Sequence, residues 1–171
     1  MASLHILVAA YSGEPPTTLV VQAEKLITSL VEACREKPVI LLGGYRGLMK
    51  YIADIAIREG MLVVFIIPVA YEYDQYPVGS IVVRSGLGDR ERSSILVRSA
   101  DKVVVMGGGL GTIFEILLAQ SYGKEIYMLI NTGLPTDKFI ESYHGRVRDT
   151  RFPLKIYYAT DARELAHLVC S

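Results

Sequence analysis

Short runs of consecutive apolar residues, separated by longer stretches of helical periodicity, limit what this chain can fold into more than any other feature. Leu4–Ala10, Pro38–Leu42, Met61–Ile67, Ser80–Arg84, Lys102–Met106, Ile126–Ile130 and Leu154–Tyr158 read as strands. Between the first two, Thr17–Glu36 carries Leu19, Val20, Ala23, Leu26, Ile27, Leu30 and Val31 at helical spacing. Leu48–Glu59, stopped by Gly60, is a second helix; Arg90–Ser99, Thr112–Tyr122 (closed by Gly123) and Asp161–Val169 are further ones. Val69–Gly79 reads as a loop, and Asn131 to Pro153 as a less regular stretch. A sheet with one wet face alternates polar and apolar residues, so strands that are apolar throughout imply a parallel sheet covered on both faces. The predicted fold is an α/β, doubly wound, mostly parallel Rossmann-like sheet with helices on both faces. At 171 residues and 51% hydrophobic content, the chain suits a single domain over 1–171.

Charge and cysteine content narrow the partners. Eighteen basic residues match eighteen acidic ones, so no net positive field draws the chain onto nucleic acid or an anionic membrane, and a small-molecule partner is expected. Cys34 and Cys170 stand far apart and outside any C-x-x-C pattern, which reads as two reduced core thiols in a cytoplasmic protein. The N-terminal apolar run is too short for a membrane span and follows no basic leader. His5, His144 and His167 are isolated, so neither a metal nor a cofactor is expected.

Two glycine turns carry the functional signal. Gly43-Gly44-Tyr45-Arg46-Gly47 follows the second strand. Gly107–Gly111 follows the apolar Val103-Val104-Val105-Met106 and restarts as a helix through Thr112. Glycine lets backbone N–H groups approach an anion closely, and the helix N-terminus adds partial positive charge, so each turn suits a phosphate. Neither turn holds the lysine of a P-loop. The first strand turn, Tyr11-Ser12-Gly13-Glu14, lacks G-x-G-x-x-G, and the strand after Gly107–Gly111 ends in Ile130-Asn131-Thr132 without the acid that grips a dinucleotide ribose. A ligand with one phosphate and its sugar remains, and a nucleoside monophosphate is the natural size. Gly43, Gly44, Gly47, Gly108, Gly109, Gly111 and Thr112 are the candidate phosphate and ribose contacts, with Ser12, Gly13 and Met49 placed at the base or ribose.

Gly43-Gly44-Tyr45-Arg46-Gly47-Leu48-Met49 resembles the G-G-x-x-G-L-M turn of the Lonely Guy-type phosphoribohydrolases, long mislabelled lysine decarboxylases. Gly108-Gly109-Leu110-Gly111-Thr112-Ile113-Phe114-Glu115 resembles their P-G-G-x-G-T-x-x-E signature. The stretch Arg92–Asp101 is closer to a sister branch of Rossmann nucleotide-binding proteins that includes the molybdenum-cofactor carriers. The resemblance implies a Rossmann-like fold and N-glycosidic cleavage of a nucleoside 5′-monophosphate to free base and ribose 5-phosphate. It also implies Arg92 and Glu115 as catalytic residues and a homodimer or tetramer. Two positions depart from the signature: Gly107 replaces its proline, and Ser93 stands where the hydrolases usually carry lysine.

Glu115 has a second reading, because Thr112-Ile113-Phe114-Glu115 also spells a T-x-x-E capping box at a helix start. Arg92, in Asp89-Arg90-Glu91-Arg92, could equally belong to a solvated helix start. The tyrosines of Val69–Pro77 read as packing or a subunit contact rather than a stacking surface. The basic cluster Tyr143–Arg151 reads as a solvated loop or a lid over an anion. Two functions stay open: a metal-independent phosphoribohydrolase, or a non-catalytic binder such as a pterin-type molybdenum-cofactor carrier or a nucleotide sensor. A pyridoxal-dependent decarboxylase is excluded, since no lysine lies in either glycine turn.

Overall fold

The computed structural model describes residues 3–143, 151, 153 and 155–171. Seven strands form one sheet: β1 His5–Ala10, β2 Val39–Leu42, β3 Val63–Ile67, β4 Ile81–Arg84, β5 Lys102–Met106, β6 Glu125–Leu129 and β7 Ile156–Ala159. Their order is β4-β3-β2-β1-β5-β6-β7, and every neighbouring pair is parallel. The helices among the described residues are α1 Thr17–Ala33, α2 Leu48–Arg58, α3 Asp89–Arg98, α4 Leu110–Ser121, α5 Pro135–Tyr143 and α6 Ala162–Cys170, with a single 3-10 turn at Val69–Tyr71.

Period-two geometry in the strands divides the core. Ile6, Val8 and Ala10 of β1 face α1, α2 and α6, whereas Leu7 and Ala9 face α3, α4 and α5. Both faces are therefore apolar and covered, as the uninterrupted apolar runs require. The exception is β4, an edge strand whose Ile81 and Val83 stay exposed. Strand order reverses between β1 and β5, so the loops leaving these strands diverge and open a crevice at the carboxyl end of the sheet.

Three expectations need correction. Helix α4 begins at Leu110, two residues before Thr112. The stretch from Asn131 contains a helix, α5, started by Pro135 with its preset φ; Asp137 accepts from the Gly133 N–H at 2.8 Å and holds the turn before it. Cys34 and Cys170 are joined in a disulfide with Cα atoms 4.9 Å apart, not free thiols. Packing of α6 along α1 brings the ends of both helices together, a juxtaposition that a separation of 136 residues hides. The expected cytoplasmic location rested partly on reduced thiols and loses that support. No helix among the described residues is long and apolar enough to cross a membrane.

Candidate functional site

The crevice between β1 and β5 encloses a cavity of about 280 Å³. Its lining comes from the β1, β2 and β3 loops and the starts of two helices: Ser12 after β1, Gly43 and Met49 around the start of α2, Tyr71 after β3, Asp89, Arg90, Arg92 and Ser93 on α3, and Gly109, Gly111, Thr112 and Glu115 at and after the start of α4. Ligand cavities span roughly 300–1,000 Å³, so this one suits a single nucleotide rather than a dinucleotide.

The start of α4 faces the cavity. Its first intrahelical bond runs from the Ile113 N–H to the Gly109 carbonyl at 3.0 Å, which leaves the amides of Leu110, Gly111 and Thr112 without an intrahelical acceptor. The N-cap is Gly109, and no side chain caps it. The capping-box reading of Thr112 and Glu115 therefore fails. Thr112 is the third helical residue rather than the cap, and Glu115 lies nearly a full turn further on. The Thr112 side chain instead packs on the Cα of Gly108, where any Cβ would collide with it.

Glu115 faces α3. It is 9% exposed, and its Oε1 lies 3.8 Å from Nη1 of Arg92, itself 7% exposed. That distance permits Coulombic attraction but is too long for a hydrogen bond. Ser93 Oγ lies 3.4 Å from the same carboxylate oxygen and 3.0 Å from the Asp89 carbonyl, so its one proton serves the backbone acceptor better. Arg92 Nε and Nη1 have no hydrogen-bond partner among the described residues. Two buried donors left unmatched cost stability unless a ligand supplies acceptors.

Burial shifts both groups toward their neutral forms. It raises the Glu115 pKa above its ordinary value, against the opposing pull of Arg92 and Ser93. It also lowers that of Arg92, which Glu115 and Asp89 partly offset; an arginine starts so high that it keeps its charge.

The other predicted residues divide into those that line the cavity and those that shape it. Gly43, Met49, Ser12, Gly109, Gly111 and Thr112 line it; Gly13, Gly44, Gly47 and Gly108 do not. Gly43 acts by what it lacks: the Arg92 guanidinium occupies the space of its missing Cβ. Gly47 has φ +53°, and a Cβ there would lie 2.5 Å from the Ser12 carbonyl carbon, so it lets the α2 start close onto the β1 turn. The Leu48 N–H donates to the Tyr11 carbonyl at 2.9 Å, which commits the first amide of α2 to the backbone. Gly107 has φ +76°, a conformation closed to proline, so the departure from the signature accompanies a different loop path. Residues 144–150 of the basic cluster lie outside the described residues.

Asp89 and Arg90 line the cavity without having been singled out, and Tyr71, one of the loop tyrosines read as packing or a subunit contact, lines it too. The signal for Arg90 was present in its position two residues before Arg92. For Tyr71 only the parallel pairing of β3 within the sheet could place a loop tyrosine at the crevice.

Comparison with known proteins agrees with this architecture. A family model, the SLOG cluster4 family, matches residues 7–162. An uncharacterized protein of Archaeoglobus fulgidus is 35% identical over 91 residues, and this match spans 53% of the present chain and 59% of the relative's length. The X-ray structure of TM1055, a structural genomics target, superposes with a TM-score of 0.84 at 30% identity, covering 97% of this chain and 98% of its own. The molybdenum cofactor carrier protein from Chlamydomonas reinhardtii shares the fold, with a TM-score of 0.76 at 22% identity over 98% of this chain and 97% of its own.

Proposed function

The chain belongs to the SLOG cluster4 family, and from that premise we propose that its crevice binds a nucleoside 5′-monophosphate and hydrolyses its N-glycosidic bond. The observation that carries this reading is the buried Arg92–Glu115 pair, 3.8 Å apart on the cavity wall beside the uncapped start of α4. The phosphate sits on the amides of Leu110, Gly111 and Thr112, with Arg90 nearby as a second source of positive charge. The ribose then lies over Glu115 and Arg92.

Cleavage consumes one water: the bond from the anomeric carbon to the base nitrogen breaks, its electron pair leaves with the base, and the water oxygen bonds to the anomeric carbon. The sugar passes through an oxocarbenium-like state, which a carboxylate stabilises, and Glu115 takes the proton of the attacking water; that proton ends on the nitrogen of the departing base, which restores the carboxylate. A carboxyl whose proton affinity burial has raised is better matched to that task near neutral pH than an ordinary glutamate. Arg92 opposes the rise that burial causes and offers its unmatched nitrogens to the sugar or phosphate oxygens.

Incubation with AMP, GMP, CMP and UMP should release free base and ribose 5-phosphate from at least one of them. Glu115→Gln should abolish release while retaining nucleotide affinity. Tight binding without release from any monophosphate would overturn the hydrolase. That outcome would favour the second reading, a non-catalytic carrier of a nucleotide or a pterin-type cofactor. Ser93 in the place of the hydrolases' lysine supports this alternative, as does the likeness to a molybdenum cofactor carrier.

A further inference from the structure

The cavity lining mixes glycine backbone and charged groups with apolar surface from Ala10, Tyr11, Met49, Tyr71 and Leu110. Tyr71 follows β3, which is three strands from β5 in the sheet. At about 4.8 Å per strand spacing, the loops after β3 and β5 leave the sheet roughly 14 Å apart. Side chains projecting inward from both walls leave room between them for one nucleotide-sized molecule, with its phosphate at α4 and its other end at Tyr71.

The ring of Tyr71 is held in place before any ligand arrives. Tyr71 closes the 3-10 turn, donating its N–H to the Pro68 carbonyl at 3.0 Å, and its own carbonyl accepts from the Tyr76 hydroxyl at 3.0 Å. The Arg46 guanidinium lies 4.2 Å from the ring centroid. Arg46 is fixed in turn by Asp74, whose Oδ2 accepts from Nη2 at 2.9 Å and from Nε at 3.2 Å. Tyr71 lines the cavity and Arg46 does not. The ring also rides over Gly44, where a Cβ would meet its edge at 3.5 Å. An aromatic ring already held by its neighbours loses little freedom on stacking.

We propose that Tyr71 is the platform on which the ligand's planar heterocycle stacks, so that the site selects phosphorylated molecules carrying a planar base over bare sugar phosphates. The proposal rests on the phosphate site at α4 and names the chemistry at the opposite end of the same cavity.

Calorimetric titration with AMP and with ribose 5-phosphate, which share phosphate and sugar but differ by the base, tests it, carried out on Glu115→Gln protein so that AMP is not cleaved during the titration. With Tyr71 in place this protein should bind AMP at least about tenfold more tightly than ribose 5-phosphate. Adding Tyr71→Leu should reduce that ratio severalfold or more, and adding Tyr71→Phe should preserve it. Equal affinity for the two ligands with Tyr71 in place would overturn the proposal, as would an unchanged ratio in a folded Tyr71→Leu protein. Binding of neither ligand would overturn the phosphate site, and this proposal with it; binding of ribose 5-phosphate as tightly as AMP would overturn only the platform.

Discussion

At the scale of single residues, the site depends on what is absent beside Arg92 as much as on what is present. Gly43 leaves the space that the guanidinium fills, so Gly43→Ala should displace Arg92 and strip Glu115 of its counter-charge. The overpacking should cost about 1–3 kcal/mol of stability, and nucleotide affinity should fall about tenfold or more. Thermal unfolding and calorimetry would check both, and unchanged affinity would show that Arg92 does not touch the ligand. Glu115 makes a pH prediction. Its pKa is raised on folding from an ordinary 4.5, so within the window from that value up to the raised one the folded chain keeps a proton that the unfolded chain has lost. Stability should therefore decline as pH rises through this window, and Glu115→Gln should show a flatter profile from about pH 4.5 upward. Equal slopes in urea unfolding would mean that Glu115 titrates normally. The identities of Arg92 and Glu115 were legible in the sequence through a resemblance. Which reading of Glu115 holds was not, because a capping box and a helix that starts at Leu110 share the same letters.

At the scale of elements, the seven strands were legible because burial on both faces makes a parallel strand apolar throughout. Helix α5 was not, since a short surface helix with two buried positions, Thr136 and Ile140, barely raises a periodic signal above its polar surroundings. The start of α4 gives an element-scale prediction. Gly111 has ordinary φ, and a Cβ there would meet only the Arg90 guanidinium at 3.4 Å. Gly111→Asp places a carboxylate where the phosphate belongs. Affinity for a monophosphate should fall at least about tenfold, yet the variant should melt at the same temperature or higher, because an acidic residue in the first turn complements the helix dipole. Loss of affinity together with a lowered melting temperature would point to damaged folding and count against α4 as the anion site.

At the scale of the whole molecule, the disulfide and the crevice occupy opposite ends of the sheet. Cys34 and Cys170 lie near Leu4 and Lys102, where β1 and β5 begin, whereas the cavity lies where those strands finish. Cys170→Ser should lower stability by about 2–5 kcal/mol relative to the oxidised wild type, and adding a reductant should bring the wild type down to the variant without changing nucleotide affinity. A reductant-insensitive melting temperature would show that the bond does not form in solution. The letters of this chain determined its parallel α/β architecture and its two glycine turns, because hydrophobic period and glycine content are local properties. Only the tertiary structure decided that Cys34 meets Cys170, that Gly43 makes room for Arg92, and that Tyr71 shares a cavity with Glu115. Each of these pairs joins residues far apart in sequence, and strand order and helix packing alone bring them together.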